Sequence, residues 1–174
     1  MTQRQAAEES SYNLFHNVEC TGVPVGIYQD AALGNLFIGG AVQGCTNVGL
    51  QQTVNAWENK FIGTDFEVNT IRDAESAARE SQIIGCDFEK GVVFQAPAVN
   101  CSVIGGASEH ITVESGASRT LYSGVTYNRF GAGVITDAGT STRFRDIRNK
   151  GTGEVSNVPR ARTDITVGAS PFTY

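Results

Sequence analysis

NLFIGGAV (residues 35–42), NKFIGTDF (59–66) and SQIIGCDF (81–88) are variants of one pattern: a polar residue, an apolar pair, a glycine, and another apolar position three residues on. Working outward, the pattern recurs as NLFHNVEC from Asn13, NCSVIGGAS from Asn100, RTLYSGVT from Arg119 and STRFRDIR from Ser141. Aligned on the first apolar position, the column reads Phe15, Phe37, Phe61, Ile83, Val103, Leu121 and Phe144. Neighbouring anchors are 18 to 24 residues apart and average 21.5. Seven anchors in phase, sharing a glycine and an asparagine, mark a repeat protein.

The columns say which kind. Ile38, Ile62, Ile84 and Ile104 follow the anchors, and Gly39, Gly63, Gly85 and Gly105 come next, with Asn17 in the first rung. Three residues further on stand Val42, Phe66, Phe88 and Ser108, with Cys20 before them. From the isoleucine column the chain alternates, small or apolar at Ile62, Thr64, Phe66 and Val68 and at Ile84, Cys86 and Phe88. The acids Asp65, Glu67, Asp87 and Glu89 stand between them, and period two over a few residues means strand. A second apolar run (VGIY, VGLQ, VFQA, ITV, GVI) closes each rung. Two or three short strands and Gly/Asn turns per repeat match an all-β parallel β-helix of about seven rungs. The LxxLxLxxN spacing of leucine-rich repeats is absent. Stacking rungs every ~4.8 Å rewards identical side chains in one column. The glycine column marks a bend with positive φ or a close backbone approach.

Composition agrees. The 174 residues are 40% hydrophobic and 18% charged, with 20 glycines, which suits neither a helical bundle nor a disordered chain. A net charge of −5 offers no general attraction to nucleic acid, and no run of ~18 apolar residues calls for a membrane span. MTQRQAAEESSYNLF lacks a secretory apolar core, so the chain is expected to be made in the cytoplasm unless a leader lies outside it. Cys20, Cys45, Cys86 and Cys101 are far apart and are expected as buried thiols, with two disulfides as the alternative. With two histidines and no close Cys/His spacing, no metal and no cofactor is called for. Residues 1–12 contain the one good helix-forming stretch and are expected to cap the solenoid of residues 13–158. Residues 159–174 alternate like an edge strand, expected to be unpaired or to join another chain.

The NxFIGxxF-type rung resembles the right-handed parallel β-helix repeats of the pectate-lyase-like superfamily, and among them the shafts of bacteriophage tailspikes, tail fibres and appendages. The resemblance implies a right-handed coil, a virion location, other virion proteins as neighbours, a homotrimer and contact with cell-surface polysaccharide. TDITVGASPFTY near the C-terminus also looks like a junction segment of phage fibre modules.

Candidate chemistry rests on stacked acids. Asp65 and Asp87 are expected in one column and Glu67, Glu89 and Glu109 in another, with neighbours ~5 Å apart. Retaining glycosidases place two carboxyls ~5–5.5 Å apart, and crowding raises one pKa to give the acid such chemistry needs. The plainer reading is a solvated acidic wall balanced by Lys60 and Lys90. A lyase needs a base cluster, and none is evident beside Asp65 and Asp87. Arg143 and Arg145 alternate onto one face, where they suit a carboxylated sugar or a neighbouring subunit. Trp57 and Tyr28, placed in loops, are candidate sugar platforms, with core or subunit contact as the simpler role. His16 is expected to be a partly buried end-rung residue and His110 an exposed corner residue. Asn13, Asn35, Asn59 and Asn100 are expected as turn residues. The expected function is a structural and adhesion module, with a polysaccharide-degrading enzyme as the alternative. Phe37/Ile38, Phe61/Ile62 and Ile83/Ile84 cannot all point inward along a straight strand, so either a bend turns both inside or one column faces outward as an apolar stripe, which a parallel homotrimer would bury.

Overall fold

The computed structural model describes residues 10–156 and 165–167. Every regular element among them is a β-strand, and no helix there is long and apolar enough to cross a membrane. The chain winds as a parallel β-solenoid of about six turns.

The first wall contains seven parallel strands of three residues: Leu14–His16, Leu36–Ile38, Lys60–Ile62, Gln82–Ile84, Ser102–Ile104, Leu121–Ser123 and Arg143–Arg145. They number the coils one to seven. The second wall carries Glu19–Thr21, Ala41–Gln43, Asp65–Glu67, Thr126–Tyr127 and Ile147–Asn149. The third carries Val25–Gln29, Val48–Gln52, Arg72–Ser76 and Ile135–Asp137. In coils four and five, Asp87–Phe94 and Ala107–Val113 run through the corner between second and third walls. A column of single parallel bridges, Leu33–Trp57–Arg79–Val99–Ser118–Thr140, closes the coil before it re-enters the first wall.

Corner geometry explains the glycine column. Asn17, Gly39, Gly63, Gly85, Gly105, Gly124 and Asp146 occupy one turn position in all seven coils, with φ from 50° to 66°. Asparagine and aspartate tolerate that left-handed conformation best after glycine. A second left-handed column precedes the first wall at Tyr12, Gly34, Glu58, Glu80, Asn100, Arg119 and Ser141, and the repeat does not advertise it because six of the seven have side chains. Only Asn100 of the four rung-start asparagines is therefore a turn residue. Asn13, Asn35 and Asn59 stand one position later and form a ladder. Asn59 Oδ1 accepts from the Asn35 backbone N–H at 3.0 Å, and its Nδ2 donates to the Ala32 carbonyl at 2.9 Å. Asn35 and Asn59 are buried, so this ladder satisfies backbone groups that water cannot reach.

Inside, like stacks on like. Phe15, Phe37 and Phe61 lie 4.4 and 4.7 Å apart between ring centres, and Phe66 stacks on Phe88 at 5.1 Å. The sequence alignment slips by one residue in coil six, where Tyr122 pairs with Val103 and Phe144, while Leu121 pairs with Ser102 and Arg143. Tyr122 is buried and Leu121 half-buried, so aromatic volume, not the first apolar letter, sets that register. The isoleucine column does face outward: Ile38, Ile62 and Ile84 are half-buried and Ile104 exposed.

Three expectations about the ends change. Ser10–Ser11 is a strand paired with Ala32–Leu33, so this part of the expected helical cap extends the ladder instead, and residues 1–9 lie outside the described residues. Ile165–Val167 is not unpaired. It runs antiparallel to Ile135–Asp137 of the same chain, because the coil-seven side of that strand offers an open ladder edge. Val155–Ser156 likewise runs antiparallel to Ile147–Asn149, whereas residues 157–164 and 168–174 lie outside the described residues. All four cysteines are free and buried; enclosure pushes the Cys86 and Cys101 thiols up to about 11.

Candidate functional site

The acidic cluster forms on the outer face of the second wall. Asp65 and Asp87 are direct cross-strand partners, each outward because Phe66 and Phe88 beside them are fully buried. Glu67 stands two residues from Asp65 on the same face. Enclosure, then the Glu67 carboxylate, then Asp87 push the Asp65 carboxyl up to about 6. One Asp65 oxygen is enclosed with no hydrogen-bond partner beside it.

The remaining acids separate. Phe88 and Gly91 bracket a break in register, and within it Glu89 accepts from the Val68 backbone N–H at 2.8 Å. Lys90 donates through its backbone N–H to Asp73 and through Nζ to the Thr70 carbonyl, so it does not balance Asp65 or Asp87. Asp73 is fully buried, and this burial pushes its carboxyl up despite donors from Asn69, Lys90 and Gly91. Glu109 leaves the expected column altogether. It is buried and accepts from the Phe130 and Ala132 backbone N–H groups at 2.6 and 2.9 Å. Its carboxylate supplies acceptors that a loop at residues 128–134 lacks from any ladder.

That loop brings the residue the repeat analysis missed. Arg129 reaches from coil six to Asp87 in coil four, with Nη1 3.8 Å from Oδ2, and its guanidinium also lies 5.5 Å from the Phe130 ring centre. Its positive charge opposes the upward push on Asp65. The loop is braced throughout: Asn128 Oδ1 accepts from Gly133 N–H at 2.8 Å and His110 Nδ1 from Val134 N–H at 3.2 Å. His110 is thus a half-buried loop brace. Phe130 stands out from the loop, 64% exposed. Three carboxylates, a guanidinium and an aromatic ring can together hydrogen-bond hydroxyls and stack on a sugar ring. Nothing in the coil-six sequence matches the repeat across residues 128–132, before the GVI run, and that break was the available signal.

The other predicted residues lie elsewhere. Trp57, 44% exposed, sits in the bridge column with the Arg79 guanidinium 4.9 Å from its ring centre, so one face is occupied. Its surroundings form an open groove of about 430 Å³ with Ala31, Leu33 and Asn55. Beside it Asp30 accepts from Thr53 and Asn55 at 2.6 and 3.0 Å, and these bonds lower its carboxyl pKa. A second groove of about 440 Å³ holds Tyr12, Leu36, Glu58, Lys60 and Gln82. Lys60 therefore belongs to the first wall, away from Asp65. Tyr28 lies in the strand Val25–Gln29, not in a loop. Arg143 and Arg145 are exposed on either side of buried Phe144, and His16 is exposed, not partly buried. No group of three or more His, Cys, Asp or Glu suited to a metal occurs among the described residues.

Comparison with protein-family models, with curated proteins and with solved structures finds no match for this chain.

Proposed function

We propose that the chain is a structural and adhesion module of the kind found in a phage-type virion fibre, tailspike or surface decoration, meeting host-surface carbohydrate through its outer walls. The observation that carries this reading is the groove at Trp57. An aromatic edge, the Asp30–Thr53–Asn55 hydrogen-bond network and an opening of about 430 Å³ lie together on the outside of a rigid ladder. Aromatic stacking with planar polar groups alongside is the chemistry that holds a sugar ring. The virion setting is supported by the resemblance of the rung to phage shafts. Binding of surface polysaccharide, followed by calorimetry, is expected to weaken tenfold or more in Trp57→Ala. Unchanged affinity in that variant contradicts the reading.

A second reading, polysaccharide cleavage, is favoured by one observation: the Asp65 carboxyl at about 6 beside Glu67 and Asp87. A carboxyl protonated near neutral pH is what a glycosidase acid requires. Incubation with capsular or pectic polysaccharide separates the readings, since adhesion alone releases no reducing ends. Turnover that disappears in Asp87→Ala establishes the enzyme.

A further inference from the structure

Beyond any glycan, the charge pattern of the second wall fits a protein partner. Most basic side chains among the described residues divide by position, with Lys60, exposed on the first wall and without an ion pair, as the exception. Arg72 pairs with Glu75 and Glu114, Arg129 with Asp87, Arg79 covers Trp57, and Lys90 donates to Thr70. Arg119, Arg143, Arg145, Arg148 and Lys150 are exposed and make no ion pair there. Acids divide the other way: residues 10–118 hold twelve acidic and four basic residues, residues 119–156 three acidic and six basic.

Part of each set shares the second wall: Asp65 and Glu67 among the acids, Arg148 and Lys150 among the cations. Asp65, Asp87, Ala107, Thr126 and Arg148 are successive ladder partners through coils three to seven. Their next residues, Phe66, Phe88, Ser108, Tyr127 and Asn149, are all buried. Glu67 and Lys150 come one position later again, outward on coils three and seven. Coils three and seven are about 19 Å apart, so Asp65 and Glu67 cannot reach Arg148 and Lys150 within one chain.

We propose that a second copy of this chain docks on the second wall, antiparallel to the first, about a two-fold axis lying along the coil-five strand at Ala107. Such an axis exchanges coil three with seven and four with six and keeps each position along the strand. Asp65 then meets the partner's Arg148, and Glu67 meets the partner's Lys150. Symmetry doubles both contacts. Asp87, already held by Arg129, meets the partner's Thr126, and Ala107 lies on the axis between them. A parallel copy in register sets the acids on acids and the cations on cations. The wall is narrow and the contacts are ionic, so the pair is weak and sensitive to salt.

Sedimentation velocity on the full chain tests this. At about 10 mM salt the species is expected at twice the 18.5 kDa chain mass, falling to one chain at about 0.5 M salt. Arg148→Glu with Lys150→Glu, both exposed positions, abolishes the pair. So does Asp65→Lys with Glu67→Lys. Mixing these two variants restores it, because each charge-reversed patch then faces an opposite one. The four changes combined in one chain restore it as well. A single-chain mass at low salt, a threefold mass that salt leaves unchanged, or folded variants that fail to pair when mixed overturns the proposal.

Discussion

The first and second walls are built from the same coils, yet they behave differently. The first wall pairs residue for residue through all seven coils without a break, and a left-handed residue turns the chain at each end of its strands. The second wall is interrupted by the bulge at Phe88–Gly91, by the loop at residues 128–134 and by reversal of direction at Val155–Ser156. Side chains with unusual environments gather at these interruptions: Asp65, Arg129 and Glu109 along the second wall, and Asp73 of the third wall, which reaches the bulge through the Lys90 and Gly91 N–H groups. A ladder in perfect register leaves no spare backbone group to satisfy and few ways to enclose a charge. Each irregularity supplies both, at a point where carboxylates and amides must take over from strand pairing.

The largest test of that contrast is Phe66→Ala. Phe66 is fully buried between Phe88 and the first-wall Phe61, so both walls lose packing, and chemical denaturation is expected to show a loss of about 3–5 kcal/mol. A loss below about 1 kcal/mol would mean that the irregular wall is loosely packed as well as irregular. Next is Asn59→Ala, which strands the Asn35 N–H in the interior and leaves the Ala32 carbonyl only its second donor, the Trp57 N–H. About 2 kcal/mol is expected, read from the same denaturation curves.

Gly85→Ala sharpens the account of the regular wall. An added Cβ meets nothing within 4 Å, and only the positive φ of 62° opposes it. About 1 kcal/mol is expected, and Gly85→Asn is expected to recover much of it, as Asn17 and Asp146 occupy that column. The smallest effect is electrostatic. Asp65 titrates at about 6 in the fold against 3.8 ordinarily, so between those values the folded chain binds the additional proton. By linkage its contribution favours the fold at low pH and is lost as pH rises through about 6. Asp65→Asn is accordingly expected to raise the melting temperature at pH 7.5 relative to wild type by a degree or two, and by less at pH 4.5. A larger gain at the acid end would reverse the sign assigned to this group.

The regular wall was legible in the sequence because each coil repeats its chemistry: phenylalanine above phenylalanine, glycine above glycine. The outward isoleucines were not, because alternation counted from Ile62 to Phe66 sets both on one face, and the corner at Gly63 breaks that count. The left-handed column from Tyr12 to Ser141 was invisible because backbone geometry, not residue type, is what repeats there. The slip at Leu121 and Tyr122 came from ranking leucine above tyrosine where the column needed a ring. Around the acids, Asp65 and Asp87 were placed correctly because the ladder between them is unbroken. Glu109 was misplaced because a bulge cancels the count of residues. Arg129 was missed because its contact spans two coils and follows from a loop with no repeat to align.

One more consequence follows from the ladder itself. Nearly every hydrogen bond that holds a coil joins it to the coil directly before or after, so mechanical load along the axis has no redundant path to spread through. Pulled from its two ends, such a chain pays out like thread from a spool. Each released coil, at an average 21.5 residues, frees roughly 75 Å of contour, and the next coil remains as intact as it was before.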